Sequence, residues 1–235
     1  MKRIVIVDGG PRKTWNTAQM LDKVAEGVLA GASGARPQDA GEDTSHLAET
    51  NIGGDVELVR FRLYDLDFKG CVSCFACKRV GVTLTRCALI DDLTPLLDAI
   101  ASCDGFVVGS PIYLGNVTGL TRAFMERVCF SYLSYDKKPS SFDHPIKTAF
   151  VYTANAPEEA YGEIGYWDLF RRNEELFARI FGASSWVLAS ETLQFDDYGA
   201  YASGMFDAAA RQKRRETVFP QDLKRAFELG RSLAT

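Results

Sequence analysis

The chain has 235 residues, 46% hydrophobic and 25% charged, with 27 Lys and Arg against 31 Asp and Glu for a net charge of −4. That length buries a sizeable core, and the acidic balance argues against a nucleic-acid-binding surface. No run of 18 apolar residues occurs, so no membrane span is expected.

In chain order, an apolar run at residues 3–7 reads as a first strand that enters a turn directly, unlike a signal peptide, so a cytoplasmic location is expected. The turn reads Asp8-Gly9-Gly10-Pro11-Arg12-Lys13-Thr14-Trp15-Asn16-Thr17. Adjacent glycines allow positive φ and close backbone approach. Asn16 and Thr17 stand where a helix begins, and the free N–H groups there attract anions. Arg12 adds a charged fork suited to phosphate. The spacing matches neither G-x-G-x-x-G nor Walker A.

Leu21, Val24, Ala25, Val28 and Leu29 then share one helical face. Residues 31–54, rich in Gly, Ala, Ser and acids and holding His46, lack an apolar period and read as a surface insertion. A second strand is expected at 56–61.

The next segment carries four of the six cysteines within 17 positions: Cys71, Cys74, Cys77 and Cys87. The first three follow C-x2-C-x2-C, a ferredoxin-type spacing that makes the four candidate ligands of a [4Fe–4S] cluster. Plain thiols, zinc and a redox Cys-x-x-Cys pair are the alternatives. Standing after the second strand, the motif is expected at the carboxyl edge of the sheet.

Leu93, Leu96, Leu97 and Ile100 mark the next helix, with Thr94-Pro95 at its start and Asp91 and Asp92 placed to suit its dipole. A strand at 105–109 leads into Ser110-Pro111-Ile112-Tyr113-Leu114-Gly115-Asn116, a rigid turn with an aromatic surface at Tyr113. Leu120, Phe124 and Val128 form a helical stripe, and residues 132–145 a polar loop with Tyr132, Tyr135, Phe142 and His144. A strand at 148–152 ends in Thr153-Ala154-Asn155, a third loop at the same edge. Leu169, Leu176, Phe177 and Ile180, a strand at 186–189, and a helix through Leu223, Ala226, Phe227, Gly230 and Leu233 complete the chain. Lys213-Arg214-Arg215 reads as a solvated helix face. Cys103 and Cys129 read as buried hydrophobes. Tyr198 and Tyr201 fit either a subunit contact or a cover over the ligand.

Apolar strands alternating with amphipathic helices point to a parallel sheet covered on both faces, an α/β fold in one domain over 1–235. Ligands of such sheets sit beyond the carboxyl ends of the strands, so the anion loop and the Tyr113 loop should stand together, as a flavin mononucleotide requires.

With these motifs in place, GGPRKTWNT, Ser110–Asn116 and the tail after Leu193, the chain resembles the flavodoxin-like NAD(P)H-dependent FMN reductase superfamily, and within it the iron–sulfur flavoprotein group. Gly10 stands where the family's phosphate loop has serine, and the gap before Cys87, residues 78–86, is longer than the family's usual gap. The resemblance implies a flavodoxin-like three-layer sandwich with a five-stranded parallel sheet of order 2-1-3-4-5. It further implies FMN held by Gly10, Pro11, Arg12, Asn16 and Thr17 at the phosphate. Ser110, Pro111, Ile112, Tyr113, Leu114, Gly115, Asn116, Thr153, Ala154 and Asn155 would line the ring and ribityl chain.

The activity so implied is an FMN-dependent oxidoreductase using NAD(P)H and passing electrons to a small-molecule or protein acceptor, in a homodimer or higher homo-oligomer. The isoalloxazine performs the chemistry, so no catalytic side chain is assigned. A non-enzymatic flavoprotein electron carrier is the main rival, and a phosphate-ligand-binding regulator a remoter one.

Overall fold

The computed structural model describes residues 1–32, 37–38 and 48–235. Eight strands are described: β1 Lys2–Asp8, β2 Pro37–Gln38, β3 Ala48–Gly53, β4 Val56–Arg62, β5 Gly105–Tyr113, β6 Asn116–Val117, β7 Lys147–Thr153 and β8 Ser184–Ala189. The helices are α1 Asn16–Gly31, α2 Thr94–Ala101, α3 Gly119–Tyr132, α4 Tyr166–Phe181, α5 Ala208–Thr217 and α6 Phe219–Ala234.

The sheet runs β2-β3-β4-β1-β5-β7-β8, with β6 paired to β5. Pairing is parallel from β4 through β1, β5 and β7 to β8. Counted in chain order, these parallel strands alone read 2-1-3-4-5. The expected count of five strands is corrected, because β2, β3 and β6 are antiparallel additions. β3 lies inside the segment read as an insertion. Its mix of half-buried and exposed positions, with polar residues among them, hid it from an apolar-run search. His46 lies outside the described residues.

Strands buried on both faces explain the near-continuous apolar runs. Along β1, Ile4 and Ile6 join one core with Met20, Leu21, Val24 and Val28 of α1 and Leu229 and Leu233 of α6. Val5 and Val7 join the other, with Leu96 and Ile100 of α2, Phe124 and Val128 of α3, and Phe170 and Phe177 of α4. The period of two sends successive side chains to opposite layers.

Helices α1 and α6 touch backbone to backbone. A Cβ on Gly27 would meet the Phe227 carbonyl oxygen at 2.0 Å, and one on Gly230 the Val24 carbonyl oxygen at 2.1 Å. Gly230→Ala is therefore expected to cost about 1–3 kcal/mol through overpacking. Gly119→Ala meets nothing within 4 Å and should stay within about 0.5 kcal/mol of wild type. Denaturant unfolding of both variants checks this, and a wild-type midpoint for Gly230→Ala would refute so close a helix contact.

Candidate functional site

At the carboxyl end of β1, Asp8 is wholly buried. Its Oδ1 accepts the Gly10 N–H at 2.9 Å, and its Oδ2 accepts Arg62 at 2.8 Å and Arg60 at 3.1 Å. Gly9 follows because a Cβ there would sit 1.9 Å from Thr121 Oγ1; its φ is not positive, so close approach rather than left-handed backbone selects glycine. The turn thus anchored opens onto α1, whose N-terminus has no side-chain cap and no acid in its first turn. Those free N–H groups and the positive end of the macrodipole face an open cleft.

The cleft is lined by Gly10, Pro11, Arg12, Asn16 and Thr17, by Pro111, Ile112 and Tyr113, and by Thr153 and Asn155. Three separate strand ends therefore meet as the sequence implied. Thr17 Oγ1 and Thr153 Oγ1 share a hydrogen bond of 2.7 Å at the floor. The Arg12 guanidinium lies 4.9 Å from the Trp15 ring centroid and donates to the Gln194 carbonyl at 2.7 Å. Burial pushes the Tyr113 hydroxyl up, with Arg12 opposing. Asn155 Oδ1 is buried without a partner among the described residues, an acceptor that a ligand N–H would satisfy.

Other assigned residues stand apart from the lining. Ser110 is buried, donating to the Pro111 carbonyl and accepting the Thr118 N–H. Ala154 is buried where its N–H reaches the Ala189 carbonyl. Leu114 and Gly115 form the two-residue turn of the β5–β6 hairpin at φ 50° and 79°, with Asn116 opposite Tyr113. Leu114 is fully exposed there.

Trp15, Thr192 and Gln194 also line the cleft and were missed. Trp15 sits within the turn after β1, and the other two follow the last strand, so the carboxyl-edge rule was the available signal. Trp15 Nε1 and Asn16 Nδ2 both donate to the Leu193 carbonyl, at 3.0 and 2.8 Å. Tyr198 hydroxyl accepts the Gln194 N–H, and Tyr201 stacks on Phe195 at 4.2 Å.

Cys71, Cys74, Cys77 and Cys87 converge on a second, small cleft, with Arg127, Phe130 and Ser131 of α3 in its wall. It shares no lining residue with the first cleft, and Arg127 and Phe130 lie about 12–16 Å along α3 from its start, at 1.5 Å per residue. The chain turns down the flank of α3 after β4 because Arg127, fully buried, draws it there. Arg127 donates to Cys87 Sγ at 3.0 Å, to the Lys69 and Leu89 carbonyls at 2.9 and 3.0 Å, and to both Asp91 oxygens at 2.8 and 3.2 Å. Asp91 therefore serves this arginine in addition to the α2 entry. Lys78 caps the end of α3, donating to the carbonyls of Phe130, Ser131 and Leu133.

Ser73, Phe75 and Thr85 hold left-handed backbone at φ 55°, 56° and 67°, a local cost that the surrounding bonds sustain. Burial pushes the Cys77 thiol up, opposed by Lys78 and reinforced by the other three cysteines. Metal ligation at Cys77 would thus be coupled to proton release. Among the described residues no three His, Cys, Asp or Glu side chains are grouped closely enough to hold a metal ion, although the four thiols line one pocket. Cys103 and Cys129 are buried, and burial pushes Cys103 up to about 12. His144 lines neither cleft, bonding Asp143 and the Cys103 carbonyl.

The arginine run departs from a solvated face. Lys213 is exposed, but Arg214 is half-buried and pairs with Asp222 at 2.8 Å, and Arg215 reaches Asn16. Among the described residues no helix is long and apolar enough to cross a membrane.

A family model described as NADPH-dependent FMN reductase matches residues 2–142. An iron-sulfur flavoprotein of Methanocaldococcus jannaschii is 23% identical over 125 residues, covering 53% of this chain and 51% of that protein. One of Archaeoglobus fulgidus is 23% identical over 164 residues, covering 70% and 67%. The chain thus spans about half to two thirds of these relatives. Among solved structures, an NAD(P)H:quinone oxidoreductase from Methanothermobacter marburgensis superposes with a TM-score of 0.65 at 13% identity, covering 99% and 96%. An FMN-dependent NADH-azoreductase from Bacillus anthracis, in complex with FMN, gives 0.63 at 12%, covering 100% of both chains. At these identities the superpositions speak for the fold, similar to that of flavodoxin-like oxidoreductases.

Proposed function

The chain belongs to the NADPH-dependent FMN reductase family, and from that premise we propose that it is an FMN-dependent oxidoreductase fed by NAD(P)H. The observation that carries this reading is the acid-free, uncapped start of α1 facing a cleft that Tyr113 and Arg12 also line. Bound FMN would supply the hydride and electron chemistry. The residues of the chain bind and orient it. Backbone N–H groups at the start of α1, with Arg12, receive the phosphate; Tyr113, Ile112 and Pro111 offer an apolar wall; Asn155 Oδ1 offers an acceptor to a ring N–H.

Arg12→Ala is expected to weaken FMN binding by about 1–3 kcal/mol, the range for charged hydrogen bonds. Fluorescence titration reads the change, and unchanged affinity would put the phosphate elsewhere. Rapid NAD(P)H oxidation with quinone or ferricyanide as acceptor supports the enzyme, whereas sluggish turnover of flavin-loaded protein supports the electron carrier.

The same reading gives the four cysteines a [4Fe–4S] cluster, supported by their convergence and by the names of the archaeal relatives. Anaerobically prepared protein should carry about four irons per chain. Cys77→Ala should lose them while FMN affinity stays unchanged, because the clefts share no residue. Iron-free protein with full FMN after reconstitution would leave the thiols without a cluster. We also assign a homodimer or higher homo-oligomer. Tyr132 and Phe142 of the 132–145 loop are covered by the chain's own core, but Tyr135, Tyr113 and Leu114 are exposed. Sedimentation of a monomer at micromolar concentration would reject that assignment.

A further inference from the structure

The tail beyond the family match holds five arginines in α5 and α6, and four have a carboxylate partner. Arg214 and Arg225 share Asp222 at 2.8 and 2.6 Å, Arg211 approaches Glu191 at 3.5 Å, and Arg231 approaches Glu228 at 3.3 Å. Arg215 differs. Its guanidinium donates to Asn16 Oδ1 at 3.2 Å and to Gln19 Oε1, both neutral amides, and lies 4.1 Å from the Phe219 ring centroid. Burial lowers its pKa with no carboxylate acting against it.

Its location makes the missing acid informative. Asn16 and Gln19 form the first turn of α1, where the macrodipole is positive and a cation is disfavoured. A half-buried guanidinium at that end, with no carboxylate among the described residues paired to it, is electrostatically completed by an anionic ligand. We infer that Arg215 is a positioning residue for the flavin phosphate, fixing the Asn16 amide through its Oδ1 and supplying positive charge behind the start of α1. With Nδ2 already given to the Leu193 carbonyl, both ends of Asn16 are then determined. A segment 199 residues away in sequence thus completes the phosphate site. The inference rests on the phosphate lying at the start of α1, as in the proposed function.

The test compares FMN with riboflavin, which lacks the phosphate, by fluorescence titration of the full-length apoprotein. Wild type should prefer FMN. Arg215→Met should bind FMN about tenfold more weakly while riboflavin affinity stays within about twofold, and Arg215→Lys should keep most of the preference. Should the methionine variant fail to fold, Arg215→Gln, which retains a donor for Asn16 but not the charge, carries the same comparison. An equal loss for both flavins would reduce Arg215 to a tether between α5 and α1 and overturn the inference, as would an unchanged FMN affinity. Wild type with no preference for FMN would instead remove the phosphate from α1, overturning the underlying reading together with this one.

Discussion

The carboxylate of Asp8 is the interaction on which the first cleft depends. It is wholly buried, and it joins two arginines of β4 to the backbone N–H of Gly10. A buried charge is tolerable only when paired and hydrogen-bonded, and here both conditions hold. The consequence is geometric. The turn after β1 cannot drift from the sheet, and Gly9 is pressed against Gly109 and Thr121 of the neighbouring elements. The start of α1 is thereby held beside the ends of β5 and β7, and the proposed recognition of an anion by backbone groups would need that rigidity.

A second buried charge organises the cysteine cleft by the same rule. Arg127 spends its donors on Asp91, on two carbonyls and on Cys87. It holds both ends of the long cysteine loop to α3, while Lys78 fastens the middle to the helix terminus. Left-handed residues at Ser73 and Phe75 persist because these bonds determine the chain on either side. Each cleft therefore has its own internal support. The first cleft is built on strand ends and the cysteine cleft on a helix flank, so a change in one need not propagate to the other.

The tail connects the layers. Helix α6 lies on α1 at glycine-to-carbonyl contact, and α5 brings Arg214 and Arg215 over the ends of β8 and α1. The segment after β8 closes the first cleft through the Leu193 and Gln194 carbonyls, which accept from Trp15, Asn16 and Arg12. Residues outside the family-matched stretch thus form one wall of the site that the stretch begins.

The parallel strands, the main helices and the three loops at the carboxyl edge were legible in the sequence because they follow from local rules. A strand buried on both faces must be apolar throughout, a helix against a sheet must repeat every 3.6 residues, and strand ends in this architecture share one edge. The gathering of four cysteines was legible from spacing alone. Tertiary structure decided where they gather, since Arg127 lies 40 residues beyond Cys87 and its pull has no local signature. It also decided that Ala48–Gly53 pairs antiparallel with β4, that Trp15 meets Leu193 across 178 residues, and that Arg215 turns inward to Asn16 rather than out to water. Those contacts depend on which surfaces the packed layers bring together, and neither periodicity nor turn chemistry encodes a distance between segments that far apart in the chain.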